Sequence, residues 1–252
     1  MKKYFLYFLL LLLGSCGISE DCFKGNGNQI TKTFPLEGFT KIKVYSGIEL
    51  VVKEGANYEV KIITSDNIID NLDVKLNGDM LVIKDNSSCN ITRDYGQTTV
   101  HITIPDGSIS SLITELELHS KTEQKVQSDG VLHSPIVRLF SLGDDGDEAG
   151  TGDFNIQVDN GQLVVESNTV SNYYIEGNCN QMLLNFYFGD GRFYGENLFA
   201  QSIQVYHRGS NDMFVYPINA IEGTIYATGN VVLKNVPPIV DVEEVFRGRV
   251  IY

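Results

Sequence analysis

Five residues late in the chain come nearest to a reactive constellation: Asp190, Arg192, His207, Arg208 and Asp212. Carboxylates beside a basic residue can move protons, or hold a cation over a bond to be broken, when they converge on one point. Here the spacing instead suggests stacking, because residues about twenty apart bring Asp190 toward Ser210 and Arg192 toward Asp212. The second pair reads as an ion pair between turns. The four histidines, His101, His119, His133 and His207, lack the HExxH spacing of a zinc protease, and neither G-x-S-x-G nor a phosphate loop occurs. The acidic, glycine-rich run from Gly143 to Asp153 invites a calcium reading. Setting Asp145 as the first ligand puts Ala149 and Ile156 where oxygen ligands are needed, so the run reads as a solvated loop. The sequence thus offers no catalytic residues, no metal ligands and no cofactor site, and the expectation is a non-enzyme.

The cysteines carry more information. Met1-Lys2-Lys3 is followed by an apolar run, Tyr4 to Leu13, which is the charged start and hydrophobic middle of a secretory signal. A membrane-spanning helix needs about 20 apolar residues, and this run is too short for one. It ends in Leu13-Gly14-Ser15-Cys16, a string that resembles the bacterial lipobox, with small residues ahead of the cysteine that takes the lipid. Cys16 is therefore expected to carry acyl chains, which contribute about 0.8 kcal/mol per buried CH₂ and fix the protein to a membrane. Export also places Cys22, Cys89 and Cys179 in an oxidising compartment. There Cys22 and Cys89 can pair and tether the N-terminal arm to the first sheet. Cys179, in Asn178-Cys179-Asn180, reads as a small packed residue at a turn. No second Cys or His stands at ligand spacing from any of these.

The chain has 252 residues and a formal charge of −13; without residues 1–15 it keeps 17 basic against 32 acidic groups, or −15. Such an excess repels nucleic acid and anionic headgroups, so nucleic-acid binding is not expected. The 24 glycines, the absence of tryptophan and the frequent Asn-Gly and Gly-Asp steps point to many short strands joined by tight turns.

These residues must be positioned by β-structure. Residues 30–104 alternate apolar and polar, as in Ile42-Lys43-Val44, Val60-Lys61-Ile62 and Val74-Lys75-Leu76, which predicts half-buried strands in an antiparallel meander. Asn77-Gly78 predicts a type I′ hairpin and Glu54-Gly55-Ala56-Asn57 a second turn, while Asp66 to Asn71 fits one helical turn. From residue 154 a repeat begins. Phe154, Tyr173, Phe193, Met213 and Val231 form one column; Leu163, Leu184, Ile203 and Ile225 form a second, with Gln162, Gln181 and Gln201 close before three of them. Asp190, Ser210 and Asn230 mark turns in step. The expected fold is all-β: the meander leads into a parallel β-helix, or solenoid, with rungs of about twenty residues, because no rung can bury its apolar side without its neighbours. The expected divisions are 1–15 as signal peptide, 16–29 as lipidated arm and 30–252 as one domain, with the meander in 30–104 and the solenoid in 105–252.

The order of motifs resembles the GIN-domain family, described as an autotransporter adhesin head domain and common among bacterial lipoproteins. The residues that carry the resemblance are Asp21-Cys22 with Gly25, Phe39-Thr40-Lys41-Ile42-Lys43-Val44, Ser46-Gly47-Ile48-Glu49-Leu50-Val51-Val52 and Leu81-Val82-Ile83. They continue in Cys89-Asn90, Arg93, Tyr95, Val100-His101-Ile102-Thr103-Ile104-Pro105, Thr228-Gly229-Asn230-Val231, Pro237 and Gly248. The resemblance implies a β-helix-like stack, a binding role and a Cys22–Cys89 disulfide.

If the first column points inward, its next neighbours Tyr174, Tyr194 and Phe214 point outward, since successive strand residues face opposite sides. Glu176 and Glu196 then join a solvent-facing column, and Tyr187, Tyr206 and Tyr226 form a second aromatic ladder. These six aromatics are the candidate binding surface, a flat platform for a glycan or a surface protein, unless the rings stack only on one another. The expected function is a lipid-anchored adhesion module without catalysis on the outer membrane or cell surface of a Gram-negative bacterium. A polysaccharide lyase-like enzyme and a passive envelope scaffold are the alternatives.

Overall fold

The computed structural model describes residues 23–87, 94, 96–108, 113–143 and 148–252. Cys16, Cys22 and Cys89, and with them the lipidation site and the disulfide, lie outside these residues, as does the middle of the acidic loop, 144–147. The described chain is all-β apart from single helical turns. Its N-terminal strands are β1 (Gln29–Phe34), β2 (Lys41–Tyr45), β3 (Ile48–Gly55), β4 (Glu59–Ser65), β5 (Leu72–Asn77), β6 (Met80–Asp85) and β7 (Thr98–Pro105). Three short strands follow: β8 (Glu115–Lys121), β9 (Val126–Leu132) and β10 (Ile136–Ser141). Four long ones come next, β11 (Phe154–Ser167), β12 (Asn172–Phe186), β13 (Arg192–His207) and β14 (Met213–Ile225), before β15 (Val231–Leu233), β16 (Ile239–Glu244) and β17 (Val250–Ile251).

Their pairing forms two parallel rows. One row runs β7, β3, β9 and then the first halves of β11 to β14, followed by β15 and β17. The other runs β6, β2, β8, β10, the second halves of the same long strands and β16. Because the long strands run through both rows, all seventeen strands belong to one sheet. The chain alternates between rows: β2 passes through a tight turn at Ser46-Gly47 into β3 on the other row rather than folding back on itself.

This corrects the antiparallel meander. Among the described residues only β1–β4, β4–β7 and β5–β6 are antiparallel, whereas β2 and β3 have parallel partners on both sides, including β8 and β9. An alternating pattern reports that one face is buried and is the same for either strand direction. The β5–β6 hairpin is present, but Asn77 pairs with Met80, so its loop residues are Gly78 and Asp79. Gly78 alone takes positive φ (+65°), which fits a type II′ turn rather than I′. The helical turn is the 3-10 turn Ile69–Asn71.

Phe154, Tyr173, Phe193, Met213 and Val231 are register partners on successive strands, and all are fully buried. The Phe154 and Tyr173 rings stack at 4.8 Å with planes 10° apart. The second column is different from the expected one: Leu163 faces Met182, Ile203 and Ile221, while Leu184 lies beside Val165 and Val205, and Ile225 beside His207. Extra residues bulge out of β13 and change the step locally, which a constant period cannot anticipate. Cys179 is not in a turn. It lies within β12 between Asn160 and Ala200, buried, and burial pushes its thiol up to about 12.

Candidate binding surface

Alternation along β11 to β14 turns one residue outward beside each core ring. Gln127, Asn155, Tyr174, Tyr194, Phe214 and Val232 are consecutive register partners, so the three aromatics form a ladder across neighbouring strands. Tyr174 and Tyr194 stack at 4.7 Å with planes 2° apart, and Tyr194 and Phe214 at 5.6 Å and 8°. Rings in this arrangement cover each other's faces and present their edges to solvent. Of the two arrangements expected for this ladder, the rings adopt the one in which they stack on one another. Lys234 closes one end, its Nζ 5.0 Å from the Phe214 ring centroid. At the other end the ladder stops at Tyr174, which is 42% exposed and is followed by the much shorter Asn155.

A groove of about 370 Å³ opens beside this ladder. It lies where three strand pairs lose register close together: between Asn155 and Gln157 against β9, between Tyr174 and Glu176 against β13, and between Gly195 and Phe199 against β14. Bulges of this kind re-aim side chains and spread strands locally. In consequence Glu176 pairs with Asn197 and not Glu196, although both glutamates are exposed as expected. Gln157 donates from Nε2 to Glu176 at 2.5 Å, and Gln127 donates from Nε2 to Glu49 at 2.8 Å. Burial, and next the carboxylate of Asp153, raise the Tyr174 phenol above its usual value. The polar wall of Gln127, Asn155 and Gln157 had no sequence signal, since nothing repeats at those positions.

The second ladder is also assembled. Tyr187 and Tyr206 have ring centroids 5.7 Å apart, and Tyr206 and Tyr226 4.9 Å, with planes tilted by 49° and 43°. The Tyr187 hydroxyl donates to Glu166, which also accepts from Asn185. Burial and that neighbouring carboxylate push the Tyr187 phenol up to about 12. The groove is lined by the first ladder and not by this one.

Among the five late residues the expected ion pair does not form. Arg192 donates to the side chain of Asn211 rather than pairing with Asp212, which accepts from the backbone and side chain of Asn230. His207 is wholly buried against Phe186, and its ring nitrogens have no hydrogen-bond partner among the described residues. Burial lowers it to about 4. The expected turn contact does form, Ser210 donating to Asp190.

Sequence reading missed one cluster, Glu54, Asp106 and His133, whose ligand atoms lie within 4.8 Å of one another. Both carboxylate oxygens of Glu54 are already engaged. One accepts from the backbone and Nδ1 of His133, the other from the backbone and Oγ of Ser134. Asp106 accepts from the backbone and Oγ of Ser108. The cluster pins the turn between β9 and β10 to the end of β3.

A family model described as "Putative auto-transporter adhesin, head GIN domain" matches residues 38–237. Among solved structures, a putative adhesin from Bacteroides fragilis NCTC 9343 superposes with a TM-score of 0.74 at 18% identity, over 90% of this chain and 98% of that one. A putative lipid binding protein from Parabacteroides distasonis ATCC 8503 gives 0.57 at 15%, and a putative adhesin from Parabacteroides merdae ATCC 43184 gives 0.52 at 14%, each with the same coverage. At these identities the likeness is one of fold. No curated protein matches.

Proposed function

Since the chain belongs to the GIN-domain family of putative auto-transporter adhesin heads, we propose that it is a surface binding and adhesion module that takes its partner in the groove beside Tyr174 and Tyr194. The observation that carries this reading is the coincidence of three register breaks, a groove of ligand size and the free end of an aromatic ladder. A concave groove lined by aromatic and polar side chains is the natural binding position on a rigid scaffold. The Tyr187, Tyr206 and Tyr226 ladder is a second face of the same module.

In this proposal the module works without catalysis, a reading supported by the complete burial of His207 and by the engagement of Arg192 and Asp212 with two different asparagines. Acyl chains on Cys16 hold it at the outer membrane with the head facing outward, a reading supported by the string Leu13-Gly14-Ser15-Cys16. A Cys22–Cys89 disulfide fastens the arm. The parallel rows are read as the coils of a β-helix with rungs of about twenty residues, supported by register partners such as Phe154, Tyr173 and Phe193.

The test is a glycan array probed with the full chain and two variants. Tyr174→Ser with Tyr194→Ser is expected to lose binding, and Tyr187→Ser with Tyr206→Ser and Tyr226→Ser to keep it. The reverse pattern would move the site to the second ladder, and binding untouched by both would remove both ladders from the function.

A further inference from the structure

Resting on the groove reading, we infer that the ligand is the end of a glycan rich in hydrogen-bond donors, bearing hydroxyl or protonated amino groups and no acid group. The inference comes from which groove atoms are already engaged. A carboxylate accepts and does not donate. Gln157 must therefore turn its NH₂ to Glu176, and Gln127 its NH₂ to Glu49, as observed. Both amide carbonyls are left for the groove. The second oxygen of Glu176 and the carboxylate of Glu196 have no partner among the described residues and join them on the same wall. The side-chain donors there, the amides of Asn155 and Asn197 and the hydroxyls of Ser128, Tyr174 and Tyr194, are all neutral, whereas the acceptors include two carboxylates, the strongest acceptors a wall can offer.

Glu176 and Glu196 also make the groove negative, and it has no Lys or Arg in its lining. A uronate or sialate would be placed against two carboxylates without a counter-charge, on a chain already strongly acidic. Sugar hydroxyls and ammonium groups supply donors to those two carboxylates. The apolar contact is given by the ladder. Tyr194 covers one face of Tyr174, and the other looks toward Asn155, which is too short to cover it. A pyranose ring laid there by its C–H face extends the ladder by one position and brings its hydroxyls to Gln157 and Glu176.

The experiment is titration calorimetry of the full chain with cellotetraose, a glucosamine tetramer and tetragalacturonate, with the thermal midpoint followed by circular dichroism. The first two are expected to bind and the third not. Gln157→Glu, an exposed change that leaves the core alone, is expected to weaken cellotetraose at least tenfold by replacing Gln157's NH₂ with a second charge beside Glu176. Glu176→Lys with Glu196→Lys is expected to admit tetragalacturonate and reject the glucosamine tetramer. Tetragalacturonate binding to the wild type, lost in Tyr174→Ser, would overturn the ligand class and leave the groove standing. Binding of the neutral or amino probe that persists in Tyr174→Ser and in Gln157→Glu would overturn the groove reading itself. Failure of both of these probes to bind would overturn the class.

Discussion

His207 is the residue whose chemistry is most altered by its surroundings. Burial lowers it from an ordinary histidine to about 4, against the smaller opposing pull of the nearby Asn211 backbone and Asp212 carboxylate. Between about 6.5 and about 4 the unfolded chain takes up a proton that the folded chain refuses, so stability falls as pH falls through that window. The loss amounts to roughly 3 kcal/mol at its acid end. His207→Met is expected to flatten the fall in thermal midpoint over this range relative to wild type; parallel curves would show that the ring is not the cause. Cys179 gives a second test at this scale. Its thiol is buried and held protonated, so iodoacetamide at pH 8 is expected to leave its peptide unmodified in the native chain and to alkylate it in urea. Both residues were visible in the sequence, but the chemistry of each was set by burial, which the sequence pattern did not report.

At the scale of the strand, neighbouring aromatics have opposite duties. Phe193 is wholly buried in the inner column, whereas Tyr194 stacks between Tyr174 and Phe214 on the outside. Phe193→Ala is expected to cost about 3 to 5 kcal/mol, the usual loss for a core phenylalanine. Tyr194→Ala loses two stacking contacts of about 0.5 to 1.5 kcal/mol each and keeps the core intact. Denaturant unfolding of both variants checks the order, and equal losses would mean that the outer ladder supports the fold as much as the core does. The first aromatic column was legible because a strand alternates strictly and the period holds at Phe154, Tyr173, Phe193 and Met213. The apolar column Leu163, Leu184, Ile203 and Ile225 was not, because Leu163 pairs with Met182 and not Leu184, and β13 then carries extra residues between Gly195 and Phe199. Those same bulges open the groove, so the feature that defeated the periodic reading is the one that makes the site.

At the scale of the molecule, Cys16→Ser is expected to move the protein from the membrane to the soluble fraction. Retention in the membrane after a high-salt wash would refute the lipid anchor. A non-reduced digest of exported protein is expected to contain the linked Cys22 and Cys89 peptides, a closure that contributes about 3 to 5 kcal/mol on the chain-entropy model. Finding both thiols free would refute it. The sequence by itself determined that the chain is all-β, that its aromatics fall into inward and outward columns, and that no catalytic motif is present. These follow from local rules: alternation fixes which side chains share a face, and motif chemistry depends on spacing along the chain. Only the tertiary structure decided that β2 and β3 pair in parallel with β8 and β9, that the outer rings cover one another's faces, and that Gln127, Asn155, Gln157 and Glu176 meet in one groove. Strand direction leaves the alternating pattern unchanged, and register across a bulge is set by which backbone groups find partners. Neither is written in the order of residues along a single strand.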